Sequence, residues 1–166
     1  MDVMDALHQI TGETINLSQQ TGVYVKIVQG LVGVKLLSIA VREGILMPIN
    51  ASHTGMVSLA SQPDKEISRI IRKLQNESPT DTRKMSVKEA LAEVRLIREE
   101  RISMRCDAYI NGIGAVCFPV RPRDGGRAYV IGVVGPSHRI MDAHAEIVEA
   151  AETALNANNV ELSYPD

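Results

Sequence analysis

The spacing of apolar residues changes period twice along this chain, and that change limits what it can fold into. Short alternating or β-branched stretches fill the first third. Helical spacing follows, alternating stretches return after residue 101, and helical spacing closes the chain. Residues 2–11 read as a short helix with Val3, Ala6, Leu7 and Ile10 on one face, ended by Gly12. Glu13–Ser18, Val23–Val28 and Val34–Ile39 read as three strands, with turns at Gln20-Thr21-Gly22 and Gly30–Gly33. Ala51–Ala60 reads as a helix capped by Asn50 or Ser52, and Gly55 inside it marks a close approach or a packing site. Ile67, Ile70, Ile71 and Leu74 form the stripe of a second helix after Pro63, and the polar stretch Asn76–Lys84, with Ser78-Pro79-Thr80 in it, reads as a loop. Ser86-Val87-Lys88-Glu89 has the form of a capping box. The helix it opens carries Val87, Ala90, Leu91, Val94 and Ile97 inward, with Glu93, Arg95, Arg98, Glu99 and Glu100 as a solvated outer face.

Ile102–Asp107, Ala115–Val120 and Arg127–Val134 then read as strands, the last two joined across Pro122–Gly126. His138–Asn158 reads as one long final helix. The expected fold class is α+β: a curved antiparallel sheet of about six strands with helices on its faces, leaving a concave side for a small molecule.

Composition excludes several functions. The net charge of the 166-residue chain is −2, and Asp142, Glu146, Glu149, Glu152, Glu161 and Asp166 close it with no Lys or Arg after Arg139. A free-standing nucleic-acid grip is strongly basic instead. Aromatic residues are 3%, too few for base-stacking platforms. The apolar runs Ile113–Phe118 and Ala128–Val134 fall far short of the ~20 residues of a membrane span. The acidic start Met-Asp-Val-Met-Asp lacks the basic region of a signal peptide. Cys106 and Cys117 form no disulfide framework and read as reduced thiols of a cytoplasmic protein.

No chemistry stands out from the residues alone. His8, His53, His138 and His144 lack metal-ligand spacing, the glycines form no phosphate loop, and no cofactor is implied. A small hydrolase or isomerase using Cys106 or Cys117 with His53 is the enzymatic alternative.

Five segments carry a resemblance. Leu7–Leu17 reads L-x-x-x-T-G-E-T-x-x-L. Met47–Gly55 resembles L-P-L-H-A-[ST]-x-x-G with Asn50 in place of His. Glu93–Glu99 resembles a helix ending in I-R, Val116–Val120 a strand ending A-P-V, and Val133–Arg139 the run S-[VI]-S-G-P-x-x-R. In this order and spacing they resemble the C-terminal effector-binding domain of the IclR family of bacterial transcriptional regulators, from about Leu7 to Leu155.

The resemblance implies a curved sheet related to GAF and profilin-like domains. It implies residues 1–12 as the end of a connecting helix, 13–158 as the effector-binding domain and 159–166 as a tail. It implies a homodimer or homotetramer, and DNA contact only through a winged helix-turn-helix domain outside this chain. A GAF-like sensor on another output module is the remaining alternative. The ligand implied is a small organic acid. Carried over by position, its site is Leu36 on the third strand, His53, Thr54, Arg105, Ile113, Ala115, Gly132 and Val134. Strand alternation adds Ser103, Asp107 and Cys117. The family often has an acid at the position of Arg105, serines at Gly132 and Val134, and Cys at Ala115. Arg105 then either pairs with an effector carboxylate, pairs with Asp107, or reaches solvent.

Overall fold

Every strand pairing among the described residues is antiparallel, as the successive short strands require. The computed structural model describes residues 2–77 and 83–166; of the expected loop Asn76–Lys84, Asn76 and Glu77 continue a helix, Arg83 and Lys84 are irregular, and 78–82, with Ser78-Pro79-Thr80, lie outside the described residues. Among the described residues the strands are β1 Thr14–Thr21, β2 Tyr24–Leu31, β3 Leu46–Pro48, β4 Ser103–Cys106, β5 Ile113–Pro122, β6 Tyr129–Pro136 and β7 Val160–Leu162. Their order is β3-β2-β1-β6-β5-β4, with β7 on the far end of β5. The helices are α1 Val3–Thr11, α2 His53–Ala60, α3 Asp64–Glu77, α4 Val87–Glu100, α5 Ser137–Asp142 and α6 His144–Ala157.

The sheet is the middle of three layers. Alternation sends Val116, Phe118, Ile131 and Val133 to one face, where they pack with Val3, Met4 and Leu7 of α1 and Ile147 and Ala151 of α6. Cys117 and Val130 point to the other face, against Met56 and Leu59 of α2, the α3 stripe and Val94 and Ile97 of α4. Ile10, expected on the inner face of α1, is half exposed. The capping box closes as read: the Glu89 amide donates to Ser86 Oγ at 3.1 Å and the Ser86 amide to Glu89 Oε2 at 2.7 Å.

Four expectations give way. Val34–Ile39 is not a strand, because β3 pairs with β2 instead (Tyr24 opposite Pro48). The segment 32–45 becomes an irregular strap whose Val34, Leu36 and Leu37 are exposed. The final helix breaks at Ala143, whose φ of −93° and ψ of 5° leave the helical region. That break lets Ile140 sit under Gly114 and Gly135 while α6 turns onto α1. The tail forms β7, and Tyr164 donates its hydroxyl to the Arg101 carbonyl at 2.5 Å. On α4, Glu93 and Arg98 are held by partners rather than solvated. Arg98 Nε donates to the Ala60 carbonyl at 3.0 Å, its Nη2 to the Gln62 carbonyl at 2.5 Å, and its Nη1 to Asp64 at 2.7 Å.

Gly55 is a close-approach glycine. A Cβ there would lie 2.0 Å from the Ile49 carbonyl oxygen, so α2 reaches its position only without one. Gly55→Ala is expected to cost about 3 kcal/mol in denaturant unfolding. Gly44→Ala, at φ +82° with nothing within 4 Å, is expected to cost about 1 kcal/mol of backbone strain. Equal losses would contradict the close approach.

Candidate functional site

The strap is fixed by a buried carboxylate. Glu13, 2% exposed, accepts from Arg139 Nε at 2.8 Å and Nη2 at 2.7 Å, and from Lys35 Nζ at 2.7 Å. Arg139 Nη2 also donates to the Leu37 carbonyl at 2.8 Å. Burial alone would raise the Glu13 carboxyl, but the hydrogen bonds and charges of Arg139 and Lys35 outweigh it and hold it below its ordinary value. Thr14 Oγ1 adds two more ties, donating to the Ile39 carbonyl at 2.5 Å and accepting from the Gly33 amide at 2.9 Å.

Held this way, residues Ile39–Arg42 of the strap form one wall of a cavity of about 600 Å³. The sheet is its floor and the start of α2 its second wall. Ser52 caps that helix, its Oγ accepting from the Gly55 amide at 3.1 Å. The lining holds two guanidinium side chains, Arg42 and Arg105, and no carboxylate. The rest of the lining is mostly apolar, and Ile45 and Ile110 flank it as exposed residues.

Six of the expected site residues meet here: His53, Thr54, Arg105, Ile113, Ala115 and Val134. Four of the expected residues, and Ser103 beside them, do not line the cavity. Leu36 projects from the strap, fully exposed, because the strand that would have turned it inward does not form. Asp107 lies past the end of β4 at φ +58°. Its Oδ1 accepts from the Gly112 amide at 2.6 Å and Ser137 Oγ at 2.9 Å. Arg105 therefore pairs with Glu100 at 2.8 Å, not with Asp107, while its Nη1 also donates to the Met104 carbonyl at 2.7 Å. Cys117 points to the same face of the sheet but is fully buried under the start of α2, where Thr54 Oγ1 lies 3.7 Å from its Sγ. Gly132 has no side chain to offer, and its place is overlain by the Asn16 amide. Ser103 serves His53. Sequence reading missed Asn16, Arg42, Ser52 and Tyr109. For Asn16 a signal existed: Thr14, Asn16 and Ser18 are polar at alternate positions of one strand, and all three are buried.

His53 is 4% exposed. Its Nε2 lies 3.1 Å from the Ser103 carbonyl oxygen and 2.8 Å from Ser103 Oγ. Burial lowers its pKa to about 4, helped by the charge of Arg105 and opposed by the Ser103 bond. The ring is neutral at pH 7. The thiols are equally quiet. Burial pushes Cys117 up to about 12, and burial and the Asp107 charge raise Cys106. A nucleophilic cysteine needs the opposite shift. Among the described residues no group of three or more His, Cys, Asp or Glu is placed to hold a metal ion, and no helix is long and apolar enough to cross a membrane.

Comparison with known proteins agrees with this architecture. The family described as bacterial transcriptional regulator IclR C-terminal matches residues 1–159. Among solved structures, the effector domain of an IclR transcriptional regulator from Acinetobacter sp. ADP1 superimposes with a TM-score of 0.81. It has 22% identity over 93% of this chain and 90% of that one. An IclR-family regulator from Rhodococcus sp. gives 0.78 at 19% identity, over 95% of this chain and 60% of that one. The Thermotoga maritima IclR gives 0.73 at 18% identity, over 95% of this chain and 66% of that one. This chain thus spans less than two thirds of these two longer relatives. No curated protein sequence matches at a significant level.

The neutral, buried His53 makes stability pH-dependent. Unfolding lets it take up a proton near pH 6.5, which the folded ring resists down to about 4. Stability is therefore full above pH 6.5 and falls as the pH drops towards 4, by about 3 kcal/mol. His53→Gln is expected to flatten denaturant-unfolding stability between pH 6.5 and 4.5. The Glu13 loss, which sets in as the pH falls through the ordinary carboxyl range and continues below it, should remain. An unchanged slope in the variant would contradict the buried neutral ring.

Proposed function

This chain belongs to the family of C-terminal domains of IclR bacterial transcriptional regulators, and we propose that it is the ligand-sensing part of such a regulator, taking a small organic anion in the cavity between strap, sheet and α2. Members of that family are regulator domains, not enzymes. One observation carries the ligand class: two arginines line the cavity and no carboxylate does. Guanidinium matches a carboxylate with two parallel hydrogen bonds. Arg42 has no ion pair among the described residues. Arg105 spends only Nη1 on Glu100 and Met104, so its Nε and Nη2 remain for a ligand. His53, Thr54, Ile113, Ala115 and Val134 would supply the remaining contacts, while Asp107, Cys117 and Gly132 would act from behind the surface and Leu36 from outside it.

In this reading the regulator works in the cytoplasm as a homodimer or homotetramer and binds DNA through a separate domain. The strap is the element that could couple the two ends. Its inner side walls the cavity, its outer side carries Val34, Leu36 and Leu37, and its Val32 carbonyl lies 2.8 Å from His8 Nε2 on α1. A ligand shifts the equilibrium between operator-binding states only as far as it binds one of them better.

Titration calorimetry with small carboxylates, keto acids and aromatic acids tests the ligand class. A bound acid at 100 times its Kd should stabilise the domain by about 2.7 kcal/mol. Arg105→Ala and Arg42→Ala should each weaken it about tenfold or more, and the matching neutral amide should bind neither wild type nor variant. Acid affinity unchanged in the Arg42→Ala, Arg105→Ala double variant would overturn the reading.

A further inference from the structure

The polar group at the bottom of the cavity comes from a residue that no expectation singled out. Asn16 stands in the middle of β1, opposite Gly132 of β6, and is 4% exposed. Its Oδ1 accepts from Ser18 Oγ at 3.4 Å. Among the described residues its Nδ2 meets no acceptor, although the side chain lines the cavity. The Nδ2 atom is open to the cavity rather than sealed off from it, so an arriving acceptor takes the place of water there.

The neighbouring strand is shaped for this side chain. A Cβ on Gly132 would lie 2.9 Å from Asn16 Oδ1, 3.2 Å from Nδ2 and 3.3 Å from Cys117 Sγ. The Asn16 amide therefore rests across bare backbone, next to the Cys117 thiol that Thr54 Oγ1 approaches at 3.7 Å. The charged groups lie elsewhere. Arg105 belongs to the row Thr14–Val134–Ala115–Arg105, and Asn16 to the row Asn16–Gly132–Cys117–Ser103. The rows are two residues, about 7 Å, apart along the strands. Arg42 is exposed at the rim. The cavity thus separates a cationic side from a neutral donor, with apolar surface between them.

We infer that Asn16 is a specificity-determining residue: its Nδ2 binds an uncharged acceptor, a carbonyl oxygen, on the apolar end of the organic anion. The ligand class is a keto-substituted apolar carboxylate whose carbonyl lies several bonds from the carboxylate. This rests on the anion reading above and narrows it.

Matched probe pairs separate the two. 4-Acetylbenzoate and 4-ethylbenzoate share size and carboxylate, and differ by one carbonyl oxygen. 5-Oxohexanoate and hexanoate repeat the comparison on a flexible chain. In calorimetric titrations of the wild-type domain, the keto member of at least one pair should bind about tenfold more tightly. Asn16→Leu should bring the two members of that pair to equal affinity. Asn16→Asp should reverse the preference, since a carboxylate repels a carbonyl oxygen. Each readout is a ratio within one variant, so a general loss of stability does not imitate it. Equal affinities in wild type, or a keto preference that survives Asn16→Leu, would overturn the role of Asn16 and leave the anion reading standing. If no member of either pair binds, the anion reading falls and this inference with it.

Discussion

A carboxylate hidden from water is the fixed point of this fold. Glu13, at the end of the α1–β1 connection, accepts from Arg139 of α5 and Lys35 of the strap. Three segments far apart in sequence are thereby tied at one buried charge. Removing either cation leaves this buried charge less compensated and so destabilises the fold. Gly135 makes room for it, because a Cβ there would lie 2.6 Å from Glu13 Oε2. The strap has no strand ladder of its own. Its position depends on this carboxylate, on Thr14 and on the Val34 amide bound to the Gly12 carbonyl at 3.1 Å. Without the strap the cavity would be an open shelf.

The cavity itself follows from uneven cover of the sheet. One face is sealed by α1 and α6 with apolar side chains throughout. The other is sealed by α2, α3 and α4 over part of its area, and its remaining rows carry small or polar residues: Thr14, Asn16, Ala115 and Gly132. The strap roofs these rows without filling the space above them. Small residues on the floor and a roof held by its own polar ties leave a volume that a ligand, not a side chain, can occupy.

Much of this was legible in the sequence, because local rules and tertiary packing agree there. The α3 stripe is buried residue for residue, the capping box closes, and the Pro122–Gly126 connection joins its two strands. The T-G-E-T and G-P-x-x-R segments that carried the family resemblance turn out to meet at Glu13 and Arg139, which gives both motifs one physical reason. The failures have a common cause. Val34–Ile39 has strand composition, but the edge of β2 was taken by three residues, Leu46–Pro48, too short to announce themselves. Asn16 follows the polar half of an alternating strand, which ordinarily faces water. Here it faces a roofed cavity, and only long-range contacts reveal that. Arg42 was invisible for the same reason, since it reaches the site by way of the strap.

The most direct test of the central claim is a crystal structure of the domain grown with 4-bromobenzoate, with bromine located by anomalous scattering. The account predicts a bromine peak inside the cavity, over Gly132 and Ala115, with the carboxylate on Arg42 or Arg105. An empty cavity, with bromine found only in another groove or on the exposed face of the strap, would contradict it.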